Sequence, residues 1–165
     1  MQPLGPPDIH HVYAVHGGLE LGNSREARVE LSRLSAGVRG HPEVLEAQWR
    51  ICAADHEWEQ ALTVAAEMVA ADPEDPTGWV DQSYALHELK RTEEARALLL
   101  PVALRFPDTS VIPYNLACYA CQLGDLDDAR RWLQRAATLR NRAELRRLAL
   151  NDRDLKPLWN EIHDW

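Results

Sequence analysis

Four alanines spaced by 34 residues, Ala27, Ala61, Ala95 and Ala129, limit what this chain can fold into more than any other feature. Four positions after each stands Leu31, Ala65, Leu99 or Leu133, and three further on Leu34, Met68, Val102 or Ala136. Offsets of zero, four and seven lie on one face of a helix. Where two antiparallel helices cross at about 8 to 10 Å, the side chain at the closest point must be small, which is the place for the alanine. Five residues before each alanine come Gly22, His56, Lys90 and Gly124, and Pro73 and Pro107 repeat the same spacing. These are the turn and the stop of a helical hairpin repeated four times. One hairpin cannot bury its apolar face alone, so the units must stack.

The local chemistry marks where helices begin. Gly124 can take the left-handed conformation that closes one helix, Asp125 then caps the next, and Asp128 favours the positive end of its dipole. Asn23 with Glu26 forms a similar capping pair after Gly22. Asp75-Pro76 and Ser110 with Pro113 also suit helix starts, since proline is tolerated in the first turn. The spacing predicts eight helices in four pairs. From Ala27 to Pro42 there are 15 residues where the other two intervals have 12, so the first unit needs a longer second helix or a longer loop after it.

A 34-residue unit with an early aromatic, small residues in mid-helix, the alanine of the second helix and a closing proline resembles the tetratricopeptide repeat. The fourth unit, with NLACYACQLGDLDDARRWLQRA, is most similar, and Trp79, Ala95 and Pro107 or Trp58, Ala61 and Pro73 carry the match in the third and second. The resemblance implies an all-α, right-handed superhelical solenoid of about four helix-turn-helix units with C-terminal capping helices. The expected organisation is a flexible tail over 1–8, repeats over 9–40, 42–74, 76–108 and 110–140, and a cap over 141–165. The cap follows from two apolar stripes, Leu145, Leu148 and Ala149, then Leu155, Leu158, Trp159 and Ile162. Without it the last apolar face would meet water.

The net charge of -8 over 165 residues argues against nucleic-acid binding, and its distribution is uneven. Residues 43–107 hold thirteen acids and five bases, while the segments on either side are balanced. In the last third Arg130, Arg131, Arg135, Arg140, Arg142, Arg146 and Arg147 are interrupted only by Glu144. This polarity suggests a basic contact patch of Arg131, Arg135, Arg142, Arg146 and Arg147, and a weak homo-oligomer as an alternative function. There is no apolar run of about 18 residues to cross a membrane, and the start lacks the basic and apolar blocks of a signal peptide. A cytoplasmic location is expected. Three cysteines are too few for a disulfide scaffold.

Cys118-Tyr-Ala-Cys121 is the sharpest chemical motif, of a spacing used in thiol redox and metal sites. Cys118 lies about two turns into its helix and lacks the helix N-terminus that lowers a thiol pKa, and zinc would need two more ligands. Packing is the expected role, with redox or metal binding a minor alternative. His11 and His16 are five apart and share no helix face. No cofactor, no metal and no catalysis are expected. Of the tryptophans, Trp49 and Trp79 fall at core positions, Trp58 opens a second helix, Trp132 neighbours Leu133, and Trp159 and Trp165 seal the end.

In the family that the repeats resemble, the first helix of each unit lines a concave groove. At 100° per residue, Leu116, Ala117 and Ala120 share one direction and Tyr114, Asn115, Cys118 and Gln122 the other. The same offsets give Val80, Asp81, Tyr84 and Glu88, then Glu46, Ala47, Arg50 and Ala54, then Val12, Tyr13, His16 and Glu20. The groove residues for a protein or peptide partner are therefore Tyr13, His16, Arg50, Asp81, Tyr84, Tyr114, Asn115 and Gln122. The lysine, arginine and asparagine clamp by which some relatives hold acidic tails is missing, with Asp81, Ala47 and Val12 at its positions. The expected function is a scaffold or adaptor that holds another protein, with Tyr84 and Tyr114 as its anchors.

Overall fold

The structure, a computed structural model, describes residues 3–165, so Met1 and Gln2 of the expected tail lie outside it. It packs as two compact units, Met1–Ala85 and Leu86–Trp165. Among the described residues there are ten α-helices and no strand. Eight of them make the repeat, α1 Asp8–Glu20, α2 Ser24–Ser32, α3 Pro42–Ala54, α4 Trp58–Ala71, α5 Pro76–Glu88, α6 Thr92–Arg105, α7 Val111–Gln122 and α8 Leu126–Leu139. After them come α9 Arg142–Asn151, a 3-10 segment Arg153–Leu158 and α10 Trp159–His163. Asp8 opens α1 rather than closing a tail, because its buried carboxylate accepts the Ser35 backbone N–H at 2.8 Å.

The four alanines are fully buried, each at 0% exposure. In the first unit Ala27 lies among Val12, Val15, Leu34, Val44, Ala47 and Ile51, and Ala61 packs with Cys52 and Ala85. The longer first repeat is explained by its loop. Helix α2 has only 9 residues, and the surplus forms a 3-10 turn, Ala36–Val38, before Pro42. At α4 against α5 the backbones come so close that a Cβ on Gly78 would lie 2.9 Å from the Val69 nitrogen.

The turns repeat as faithfully as the core. Gly22, His56, Lys90 and Gly124 all have positive φ, at 70°, 57°, 64° and 83°. In each turn the next residue's N–H reaches back to a carbonyl near the helix end, as Asp125 does to Ala120 at 2.9 Å and Arg91 to Leu86 at 2.9 Å. The left-handed conformation is forced by this closure, and His56 and Lys90 adopt it at a steric cost that glycine avoids. Asn23 and Asp125 cap α2 and α8 as expected, accepting Glu26 N–H and Asp128 N–H at 3.1 Å each.

One side-chain pairing also follows the period. Arg28 and Arg96 stand one residue past the packing alanine of their repeats, and each reaches the acids at the next turn. Arg28 meets Asp55 at 2.6 Å and Glu57 at 2.7 Å, while Arg96 meets Asp128 at 2.5 Å. Arg130, at the same offset, holds Glu161 at 2.7 Å and so ties α8 to α10. Leu62 occupies the offset in the second repeat and packs instead on the cluster of Cys52, Ala61 and Ala85.

Candidate protein-interaction surface

In the first unit the expected groove residues divide into a basic and an acidic group. Tyr13 on α1 is 64% exposed. One turn along, His16 Nδ1 accepts a hydrogen bond from Arg50 Nη1 on α3 at 2.6 Å, so the two polar residues of this stretch are joined. On α5, Tyr84 is 36% exposed, and its ring is braced by Trp58 edge-on at 5.6 Å and by Trp49 at 6.4 Å between centroids. Trp49 thus fills a partly buried position as expected, with its indole N–H buried and without a hydrogen-bond acceptor. Asp81, one turn before Tyr84, is partly buried. Burial, together with the carboxylates of Glu46 and Asp75, pushes its pKa up to about 7. A hollow lined by Glu43, Glu46, Asp72, Asp75 and Thr77 opens on the same unit.

In the second unit the expected groove face is not open. Tyr114 and Asn115 are buried at 7% and 9% exposure, and every residue from Ile112 to Cys121 is buried. The cover is the chain's own segment after α9. Tyr114 Oη donates to Asp152 Oδ2 at 2.7 Å, Cys118 Sγ donates to the same oxygen at 3.5 Å, and Gln122 Nε2 donates to the Asp154 carbonyl at 3.0 Å. His87, buried at the end of α5, completes the set. Its Nε2 lies 2.8 Å from Asp154 Oδ2 and its Nδ1 3.0 Å from Thr92 Oγ1, and the ring packs on Tyr119 at 4.9 Å. A carboxylate only accepts, so Nε2 carries the hydrogen. Leu155 and Leu158 sink beneath this polar row at 0% and 1% exposure.

Tyr114, Asn115 and Gln122 are therefore not free anchors in this structure, which corrects the expectation of two open tyrosines. Sequence reasoning missed Asp152, Asp154 and His87. A signal was available in α7, VIPYNLACYACQ, which has no charged residue in 12 positions. A helix apolar all round is a buried one.

The cysteines fit packing. All three are buried. Burial pushes the thiol pKa of each upward, aided at Cys118 by Asp152, at Cys121 by Asp154 and at Cys52 by Glu57. The thiolate needed for redox or metal chemistry is thereby disfavoured. Among the described residues no three His, Cys, Asp or Glu side chains are grouped to hold a metal. No helix of the described residues is long and apolar enough to cross a membrane.

Most of the basic patch is spent within its own unit. Arg131 pairs with Asp128 at 2.9 Å, and Arg135 donates to the Pro107 carbonyl at 2.7 Å. Arg146 donates to the carbonyls of Ile162 and His163 at 3.2 and 2.8 Å, and Arg142 lies over the Trp165 ring at 5.5 Å. Arg147 is exposed. Trp165 and Arg142, with Arg130, Leu133, Leu158 and Ile162, line a cleft of about 340 Å³.

No family model and no curated protein matches the chain. Solved structures do. A thermophilic TPR protein of Thermus thermophilus superposes with a TM-score of 0.75 at 19% identity, over 94% of this chain and 82% of its own. A segment of MamA from Desulfovibrio magneticus RS-1 gives 0.71 at 17% identity, over 98% and 96%. Such identities speak for the fold, and the 34-residue alanine and turn registers described above are that fold's own period. This chain is an all-α repeat protein with the tetratricopeptide fold.

Proposed function

We propose that the chain is a protein-interaction module that holds an extended segment of a partner on the first-helix face of its N-terminal unit, and that the segment carries lysine or arginine. The observation that carries this reading is the pairing of Tyr84 with Asp81 on α5. Tyr84 offers an exposed ring already fixed by Trp49 and Trp58, so little side-chain entropy is lost when it is covered. Asp81 is a carboxylate held near neutrality by burial and by two like charges. A cation beside it would restore its charge and relieve that repulsion. The ring adds a favourable surface for the same cation.

The test is selection from a random displayed peptide library on the full chain. Lysine or arginine should be enriched, and Tyr84→Ala or Asp81→Ala should each weaken the selected peptides by about 1 to 2 kcal/mol, roughly 5- to 30-fold. Binding should tighten as pH rises through 7, because the cation favours the ionised carboxylate. Peptides without basic residues, or binding indifferent to both substitutions, refute the reading.

Self-association of the acidic middle with the basic segment has less support, since Arg130, Arg131, Arg135 and Arg146 already have partners inside their unit. A charge-driven oligomer would appear in sedimentation at about 0.01 M salt and fade at about 0.1 M, where screening shortens from about 30 to 10 Å.

A further inference from the structure

The face of α7 shows what it binds, because a piece of the chain is seated on it. We propose that this face is a second recognition surface, for an acidic peptide of the pattern Asp-x-Asp-Leu folded into a short 3-10 turn, and that residues 152–158, which take that turn, are a resident ligand which such a peptide displaces. The inference rests on the reading that first-helix faces of this chain hold partner segments, and it adds a surface of opposite charge preference.

The chemistry is specific. The first carboxylate is held by a hydroxyl and a thiol, Tyr114 Oη at 2.7 Å and Cys118 Sγ at 3.5 Å. The second is held by His87 Nε2 at 2.8 Å, and the carbonyl of the same residue by Gln122 Nε2 at 3.0 Å. The donors alternate with the carboxylates, so spacing two residues apart is read. Leu155 follows directly into an apolar site at 0% exposure. No lysine or arginine takes part in these contacts, which separates this surface from a cationic clamp.

The way the segment is tethered makes exchange reasonable. Among the described residues, no backbone-to-backbone hydrogen bond joins it to α7, and the bonds across that boundary come from side chains. Its backbone is organised locally. Asp152 Oδ1 accepts the Asp154 N–H at 3.0 Å, the Asp152 carbonyl accepts the Leu155 N–H at 3.2 Å, and Trp159 Nε1 donates to the carbonyls of Ala149 and Asp152 at 3.0 and 3.1 Å. The segment can therefore leave α7 with its own turn intact. A competing peptide needs the same two acids and the leucine, and gains the same donors.

The experiment uses the full chain and a fluorescent peptide of residues 150–160 carrying Arg153→Gln and Lys156→Gln, LNDQDLQPLWN, which offers no base to the Tyr84 surface, with a control in which both aspartates are asparagine. Anisotropy is read on the parent and on the Asp152→Asn/Asp154→Asn variant, whose resident is weakened, while hydrogen exchange follows α7. The acidic peptide should bind the variant at least tenfold more tightly than the parent and slow exchange in α7. The control should not bind, and Tyr114→Phe or His87→Ala added to the variant should remove binding. Absence of binding to a variant that keeps its helical signal overturns the proposal and leaves 152–158 a permanent cap. If the double variant does not fold, Gln122→Ala is used, because that side chain is exposed and makes a single bond to the segment. The proposal then requires faster exchange in α7 that the acidic peptide reverses, and unchanged exchange overturns it. A basic peptide that binds at Tyr84 while the acidic one binds nowhere would sink this inference and leave the proposed function standing; the opposite result would do the reverse.

Discussion

Replacing Asp81 by Asn removes the one carboxylate of the first unit that the fold holds far from its ordinary pKa, and the consequence for stability can be worked out in advance. The pKa rises from 3.8 to about 7 through burial and through Glu46 and Asp75. Between these values the unfolded chain has released the proton and the folded chain still holds it, so the unfolded state binds fewer protons and stability falls as pH rises. Below pH 3.8 both states are protonated and nothing is lost; above about 7 the loss is complete. A shift of about three units at about 1.36 kcal/mol each sets a ceiling of about 4 kcal/mol. Asp81 is only partly buried, so solvent and side-chain relaxation reduce the expected value to about 1 to 2 kcal/mol. Asparagine keeps the shape and has no proton to lose. The variant should match the parent at about pH 4 and exceed it at about pH 8, with the difference opening between. In urea denaturation followed by helical circular dichroism, an m-value of about 2 kcal/mol/M turns this into a midpoint gain of roughly 0.5 to 1 M at about pH 8. A difference that is the same at both pH values, or a parent more stable than the variant at the higher one, would refute the assignment of Asp81 as a carboxylate stressed by its neighbours.

Lys90→Gly relieves a residue held at φ 64° and should raise stability by about 0.5 to 1 kcal/mol in the same denaturation assay. Gains at His56→Gly should be smaller, since the His56 ring packs edge-on against Trp58 at 5.6 Å and that contact is lost. Ala129→Leu, at a site with 0% exposure, should cost about 1 to 3 kcal/mol by overpacking, read as a lower melting temperature. The three buried thiols should react with a neutral thiol reagent far more slowly in the folded chain than in urea, and raising the pH to about 9 should not close the gap, because burial moves all three pKa values upward.

The alanine period and the turn residues were legible because they are local: a 3.6-residue face and a chain reversal depend on neighbours within a few positions. The capping pairs at Asn23 and Asp125 were legible for the same reason. What escaped was the meeting of residues 32 to 67 apart in sequence. Tyr114 has the offset of a groove residue, and nothing in its own helix says that Asp152 will cover it. The fate of the arginines was hidden likewise. A run of bases looks like a free patch until Pro107, Ile162 and His163 are found at the tips of Arg135 and Arg146; the pair of Arg131 with Asp128, one turn apart on a single helix, was open to a local reading. Asp81 was read as one more groove position, whereas its distinction comes from Glu46 on another helix and from the depth at which α5 sets it.

The row of donors on α7 has a consequence for how such an array can change over generations. Repeat chains grow and shrink by copying or deleting whole hairpins. The closing segment here does not rest on a generic first helix; it reads Tyr114, Cys118 and Gln122 individually. At the same offsets α5 carries Val80, Tyr84 and Glu88, with Asp81 beside them, so a deletion that joined the segment to that hairpin would set Asp81 and Glu88 against Asp152 and Asp154 and put a valine where Tyr114 donates. Because His87 on α5 also holds Asp154, copies can be inserted or lost ahead of α5 without disturbing this fit, but α5 to α8 and the closing segment must be inherited together. The last two repeats and their ending form a single heritable cassette, and variation in repeat number should accumulate on its N-terminal side.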